Sequence, residues 1–191
     1  TGVATSSKAT TTTTITDNDQ AVDFAIASTA SINEDATDGT ETATFTITLD
    51  TAIATGNTAS VDVAPSGTAT DGTDYDTFMD AVETAATATT GVTLAGSTLT
   101  FDDAYVETTP FSFTMDAIDD ATADSGETII GTLSNPTVSN GVATISTATT
   151  TTTITDNDQA VDFAIASTAS INEDATETAT FTITLDTAIA V

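Results

Sequence analysis

Residues 43–49 read ATFTITL, and the alternation is strict: Ala43, Phe45, Ile47 and Leu49 fall on one side, Thr44, Thr46 and Thr48 on the other. A period of two over this length is the signature of a strand with one buried and one wet face. The same pattern recurs outward from it. VDFAI sets Val22, Phe24 and Ile26 inward, and SVDV sets Val61 and Val63. STLTF offers Leu99 and Phe101, and FSFTM offers Phe111, Phe113 and Met115. Ile129 or Ile130 with Leu133 marks another strand, and the run ATTTTTIT ending at Ile154–Thr155 is the last. Seven short strands separated by Gly, Asp, Asn and Pro turns predict an all-β, antiparallel β-sandwich. One segment departs from the pattern. In FMDAVETAATA, residues 78–88, Phe78, Val82 and Ala85 are spaced helically, which predicts a short helix or a covered loop that serves packing.

The chain repeats itself. Residues 9–37 recur unchanged as 148–176, so that Ile15 returns as Ile154, 139 positions later. Asp38, Gly39 and Thr40 have no counterpart in the second copy, after which ETATFTITLDTAIA at 41–54 returns at 177–190. GVAT at 2–5 returns at 141–144. The period is too long for a solenoid unit of roughly 20–50 residues and is the size of a domain. The phase divides the chain into the last strand of a preceding repeat (1–19), one complete domain (20–158) and the first two strands of a following repeat (159–191). Near-identity of the copies predicts a tandem array, with neighbouring copies of the same repeat as partners, joined covalently or as a homopolymer.

Charge narrows the function. Twenty-nine acidic residues stand against one basic residue, Lys8, for a formal net charge of −28. Such a chain repels itself unless cations neutralise it, and it repels nucleic acid and anionic membrane surfaces. No apolar run approaches the roughly 18 residues of a membrane span, so no membrane insertion is expected. There is no Cys, hence no disulfide and no reading of the redox compartment from thiols. The chain starts at Thr1 without a signal peptide and reads as an excerpt or a processed product. With no His, no Cys and one Lys, nucleophilic triads and a His base cannot be assembled, and the expectation is that this is not an enzyme.

The acids gather between strands. Glu34 and Asp35 follow the first strand, and Asp71 and Asp74 lie in GTATDGTDY. Asp119, Asp120, Asp124 and Glu127 lie in IDDATADSGE, and Asp156 and Asp158 in ITDND. In a sandwich, loops joining alternate strand ends meet at one pole. If these four loops share it, Glu34, Asp74, Asp119, Asp120, Asp124, Glu127, Asp156 and Asp158 bring eight negative charges together, and about four divalent cations would balance them. Oxygen ligands without His or Cys suit Ca²⁺ rather than zinc or copper. Asp71, in a DG pair, is assigned to the turn.

These pieces carry a resemblance. INED at 32–35, GTATDGTDY at 67–75, STLTF at 97–101, IDDATADSGET at 118–128 and ITDND at 154–158 occur in the order of the Calx-beta domain, and together they cover essentially all of 20–158. The chain resembles that family, known from sodium/calcium exchangers and large bacterial surface proteins. The resemblance implies a seven-stranded immunoglobulin-like sandwich with Ca²⁺ at one end. It also implies Glu34, Asp74, Asp119, Asp120, Asp124, Glu127, Asp156 and Asp158 as ligands, with Asn157 and the backbone carbonyl of Thr122 as further contributors. Ala121 and Gly126 stand where calcium-rich members often have acids, which implies fewer ions, and the Phe78–Ala88 insertion lengthens the path from GTDY to STLTF.

Three functions compete. The first is a calcium-stabilised structural repeat of an extracellular or cell-surface filament, adhesin extender or surface layer, with a cation at each joint. The second is a sugar- or ligand-binding adhesion module, which needs exposed aromatics where only Tyr75, Tyr105 and some Phe residues are available. The third is a calcium-sensing regulatory domain, which a near-identical array and a charge of −28 argue against. The Thr runs at 10–14 and 149–153 read as polar-faced strands rather than as ice-binding ladders or glycosylated stretches.

Overall fold

A computed structural model describes residues 1–5, 10–15, 19–34, 41–124, 126–156, 158–173 and 176–187. The strands are β1 (Gln20–Ser28), β2 (Ser31–Asn33), β3 (Thr42–Leu49), β4 (Thr58–Gly67), β5 (Val92–Ala95), β6 (Thr98–Asp102), β7 (Phe111–Asp116), β8 (Thr128–Val138), β9 (Gly141–Thr147), β10 (Thr149–Thr155), β11 (Phe163–Ser167) and β12 (Phe181–Leu185). One helix, α1 (Phe78–Ala88), lies between β4 and β5.

Ten of the strands build a β-sandwich. One sheet has the order β7-β3-β1-β9, the other β2-β10-β8-β4-β6-β5. All seven strands read from the alternation are present, and their inward residues form the core. Phe24, Phe45, Phe78, Phe101, Phe111 and Phe113 are all buried, each worth roughly 1.5–3 kcal/mol relative to exposure. The additional strands β2, β5 and β9 are short or nearly all exposed, so their sequences carry little alternation.

Two pairings are parallel. The chain crosses from one sheet to the other between β1 and β2, and again between β9 and β10. The two crossing segments run side by side: Phe24 lies opposite Ile145, and further along Ile32 lies opposite Ile154. The crossing is pinned where the buried Thr152 Oγ1 donates to the Thr29 carbonyl at 2.6 Å and Thr153 N–H donates to Ala30 O at 3.1 Å. The crossing strands close one side of the sandwich. Gly131 permits the close contact on β8, since a Cβ there would lie 3.1 Å from both Ile26 and Phe45.

Helix α1 closes the other side, packing on β7 and β5, the end strands of the two sheets. It buries Phe78, Val82 and Ala86, so the packing role expected of this insertion holds, with Ala86 rather than Ala85 innermost. The Phe78 ring meets Phe45 and Phe113 edge-on, at centroid separations of 5.6 and 5.1 Å. Asp71 Oδ1 accepts the Phe78 N–H at 2.8 Å, a turn acid serving the helix start.

Strands β11 and β12 form a separate two-stranded sheet in the register of β1 and β3: Phe163 opposite Leu185 matches Phe24 opposite Leu49. Their surroundings differ. Phe163 is 65% exposed where Phe24 is 0%, and Phe181 is 68% exposed where Phe45 is 0%. No described residue of 1–19 lies in a strand.

Candidate metal centre

Strand registers define two poles. Gln20, Asp50, Thr58, Asp102 and Gly141 lie at one, because β1 begins opposite β9, β3 ends beside Asp23, and β4 begins opposite the end of β6. The loops that follow β2, β4, β7 and β10 lie at the other. Four hydrogen bonds tie them together. Glu34 N–H donates to Thr155 O at 3.0 Å, Ile118 N–H to Asp74 O at 2.9 Å, Asp120 N–H to Glu34 Oε1 at 2.9 Å, and Asp124 N–H to Asp156 Oδ2 at 2.9 Å. The four acidic loops named from the sequence therefore do meet.

At their meeting point Glu34, Asp124 and Asp156 each bring a carboxylate oxygen within 4.8 Å of the other two. Glu34 is only 8% exposed. Two like charges about 4 Å apart repel by about 1 kcal/mol in water and about 4 kcal/mol at an intermediate dielectric, so three such groups strain the fold at neutral pH. The carboxyls around this point hold their protons more tightly than free acids do, with burial as the leading cause. Burial, then the charges of Asp156, Asp120 and Asp124, raises the Glu34 carboxyl against the lowering effect of the Asp120 N–H. Desolvation and the charges of Asp120, Asp156 and Asp74 raise Asp124. Glu127 is pushed up to about 7 by burial, by its hydrogen bond with Asp74, and by the charges of Asp74, Asp124 and Glu34. Asp158 is raised by burial and by Asp156, Asp119, Asp120 and Asp124.

All the expected residues except Asn157 lie among the described ones. Asp156 spans the cluster, since its Oδ1 also accepts the Asp158 N–H. Asp120 Oδ1 accepts the Thr122 N–H at 2.6 Å, which folds the loop onto itself. Asp74 Oδ2 accepts the Thr70 N–H at 2.5 Å. Asp119 faces Asp158 through charge. Asn157 lies outside the described residues, as does Asp35. Tyr75 is buried, and burial with the charges of Asp71 and Asp74 pushes its hydroxyl up to about 12. The sequence did not single out Glu41, which immediately precedes β3 at this pole and has a buried Oε2 with no hydrogen-bond partner among the described residues. An acid just before a strand carries no signal of its own.

The donors fit a hard divalent cation. They are all oxygen, and Asp158 Oδ2 is buried without a hydrogen-bond donor among the described residues.

No family model matches the chain. No curated protein matches it either. Solved structures do. The apo form of the Calx CBD1 domain is similar over 72% of this chain and 98% of its own, at 18% identity and a TM-score of 0.45. CBD12 from CALX1.2 is similar over 75% of this chain and 48% of its own, at 22% identity and a TM-score of 0.45. The sixth cohesin from Acetivibrio cellulolyticus scaffoldin B, in complex with a Cel5 dockerin mutant, is similar over 69% of this chain and 98% of its own, at 14% identity and a TM-score of 0.36.

Proposed function

We propose that residues 20–158 are a calcium-stabilised structural repeat, one unit of a tandem array that serves as an extracellular filament, adhesin extender or surface layer. The observation that carries this reading is the Glu34–Asp124–Asp156 triangle, in which loops from distant parts of the chain bring three carboxylate oxygens within 4.8 Å of one another. Glu34, Asp124, Asp156 and Asp158 would hold the ion, with Asp119, Asp120, Asp74 and Glu127 adding charge around them. A bound Ca²⁺ supplies positive charge and accepts six to eight oxygens in flexible geometry. The loops supply the rest: Glu34 orients the Asp120 backbone, and Asp156 clamps the backbones of Asp124 and Asp158.

The repeat phase supports the array. In this reading 1–19 is the end of one repeat and 159–191 the start of another. The chain enters the sandwich at Gln20, at the pole opposite the cluster, and leaves it after Asp158, at the cluster. Successive repeats thus stack end to end with the carboxylates at each joint, where a cation fixes the angle between neighbours. The role is mechanical rather than catalytic.

Thermal melts of the whole chain in millimolar calcium, in magnesium and in chelator test this. Calcium should raise the midpoint well above both other conditions, since a ligand at 100 times its Kd stabilises by about 2.7 kcal/mol. Equal midpoints in calcium and chelator would sink the reading.

A further inference from the structure

Strand β7 ends the sheet β7-β3-β1-β9, so one of its edges has no neighbouring strand of that sheet. The register shows which groups lie on that edge. Ala117 N–H donates to Glu41 O at 2.9 Å, so Ala117, and at every second residue before it Met115, Phe113 and Phe111, turn their backbone groups toward β3. Asp116, Thr114 and Ser112 turn theirs away. At Asp116 the chain itself fills the edge: Asp76 N–H donates to Asp116 O at 3.0 Å, and Asp116 N–H donates to Asp76 Oδ2 at 3.1 Å. Tyr75 lies antiparallel to Ala117, and Ile118 N–H donates to Asp74 O at 2.9 Å. Residues 74–76 thus run along β7 as the start of a further strand. After Thr77 the chain turns away into α1, and no described residue bonds to the backbone of Ser112 or Thr114 on this edge. Beside them lies a groove of about 550 Å³ between α1 and β7, within the roughly 300–1,000 Å³ of ligand clefts. Ala81 and Ala85 give it a low apolar wall, and the exposed carboxylates of Asp76 and Asp80 stand where α1 begins.

We propose that this groove takes an extended, basic segment of a partner protein, which adds to β7 as its next strand in line with residues 74–76. An edge without a neighbour recruits strands, and β7 carries neither Lys nor Pro within Phe111–Asp116 to discourage it. Main-chain bonds to Ser112 and Thr114 supply affinity, as in other strand-addition complexes, and alternate side chains supply specificity. One set rests on Ala81 and Ala85, while Lys or Arg side chains meet Asp76 and Asp80. Charge selects the occupant. A second copy of this chain brings a net charge of −28 and a single basic residue, Lys8, so the like charges of two copies oppose that pairing. The inference goes beyond the repeat reading and needs neither calcium nor an array.

The probe is an acetylated, amidated peptide of sequence KVKVK, titrated into the isotope-labelled whole chain and followed by the amide resonances of Ser112 and Thr114. Both should shift, and the peptide EVEVE should move neither. Two N-methylated forms of KVKVK, blocking either the odd or the even backbone N–H groups, separate strand addition from simple charge attraction. Only one set faces β7, so one form should bind about tenfold more weakly than the other. On the protein side, Thr114→Pro deletes an N–H that points away from β3 and so keeps the β3 ladder, a placement that edge strands tolerate. It should weaken binding about tenfold with an unchanged melting point, and Asp80→Asn, at an exposed helix position, should weaken it several-fold. Equal binding by the two methylated forms, an unmoved Ser112 and Thr114 on adding KVKVK, or full affinity in Thr114→Pro would each overturn the proposal. Sedimentation of the chain alone covers the other occupant: self-association abolished by Thr114→Pro would put a second copy in the groove and overturn the basic one.

Discussion

The backbone N–H of Asp120 donates to Oε1 of Glu34, 86 residues earlier, at 2.9 Å. A buried carboxylate thus holds the loop that carries other acids of the same cluster. Glu34→Gln keeps the acceptor and removes the charge. Without cation the variant should melt higher than the parent, because one member of the Glu34–Asp124–Asp156 repulsion is gone. Its calcium affinity should fall about tenfold or more, or about 1.4 kcal/mol. Calorimetric titration and melts in chelator check both signs, and a lower cation-free melting point would count against the repulsion.

Asp120→Ala should weaken calcium binding, since it removes a charge from the cluster and frees the Thr122 N–H from the 2.6 Å bond that shapes the loop. Asp62→Ala should leave affinity untouched. The sequence marks Asp62 as an outward strand residue, and it is one, but it accepts hydrogen bonds from Thr98 and Asn135, and these hold its carboxyl below the usual range. Asp62→Ala should therefore cost about 0.5–1.5 kcal/mol per lost bond, equally with and without calcium. Titration together with denaturant unfolding of the two variants separates the effects.

Stability without cation should rise as pH falls from about 7.5 to about 5. Glu34, Asp124 and Asp158 are raised, and Glu127 stands at about 7 against an ordinary 4.5, burial leading in each case. A group with a raised pKa in the folded state binds its proton more tightly there. The stability it confers is full below the unfolded value and is lost as pH rises through the folded one. Asp23 and Asp62, lowered by hydrogen bonds, act oppositely: their contribution is present above 3.8 and is lost in stronger acid. In saturating calcium the trend across the upper range should reverse, because protons compete with the cation for the same oxygens. Melts at both pH values, in chelator and in calcium, give four midpoints; identical chelated midpoints would rule the coupling out.

Phe78→Ala should destabilise the sandwich by about 3–5 kcal/mol. The ring is 0% exposed and lies edge-on to Phe45 and Phe113, so its loss opens a cavity where α1 seals the side of the core. Urea unfolding measures the cost. An exposed Ala on the same helix makes the control: Ala88→Ser should change stability by less than about 0.5 kcal/mol.

The sequence by itself determined the strands that matter most and the chemistry of their loops. Alternation in ATFTITL is a property of one strand's two faces, readable without knowing the partner, and so are the repeat and the gathering of acids between strands. The tertiary structure alone decided that Glu34, Asp124 and Asp156 converge, that Asp120 holds the Thr122 backbone, and that Asp71 serves α1. It also decided that β1 and β2 run parallel to β9 and β10. These outcomes depend on registers between segments separated by tens to more than a hundred residues. Such registers are set by how Phe24, Phe45, Phe101 and their neighbours pack across the two sheets, and no local periodicity encodes that packing.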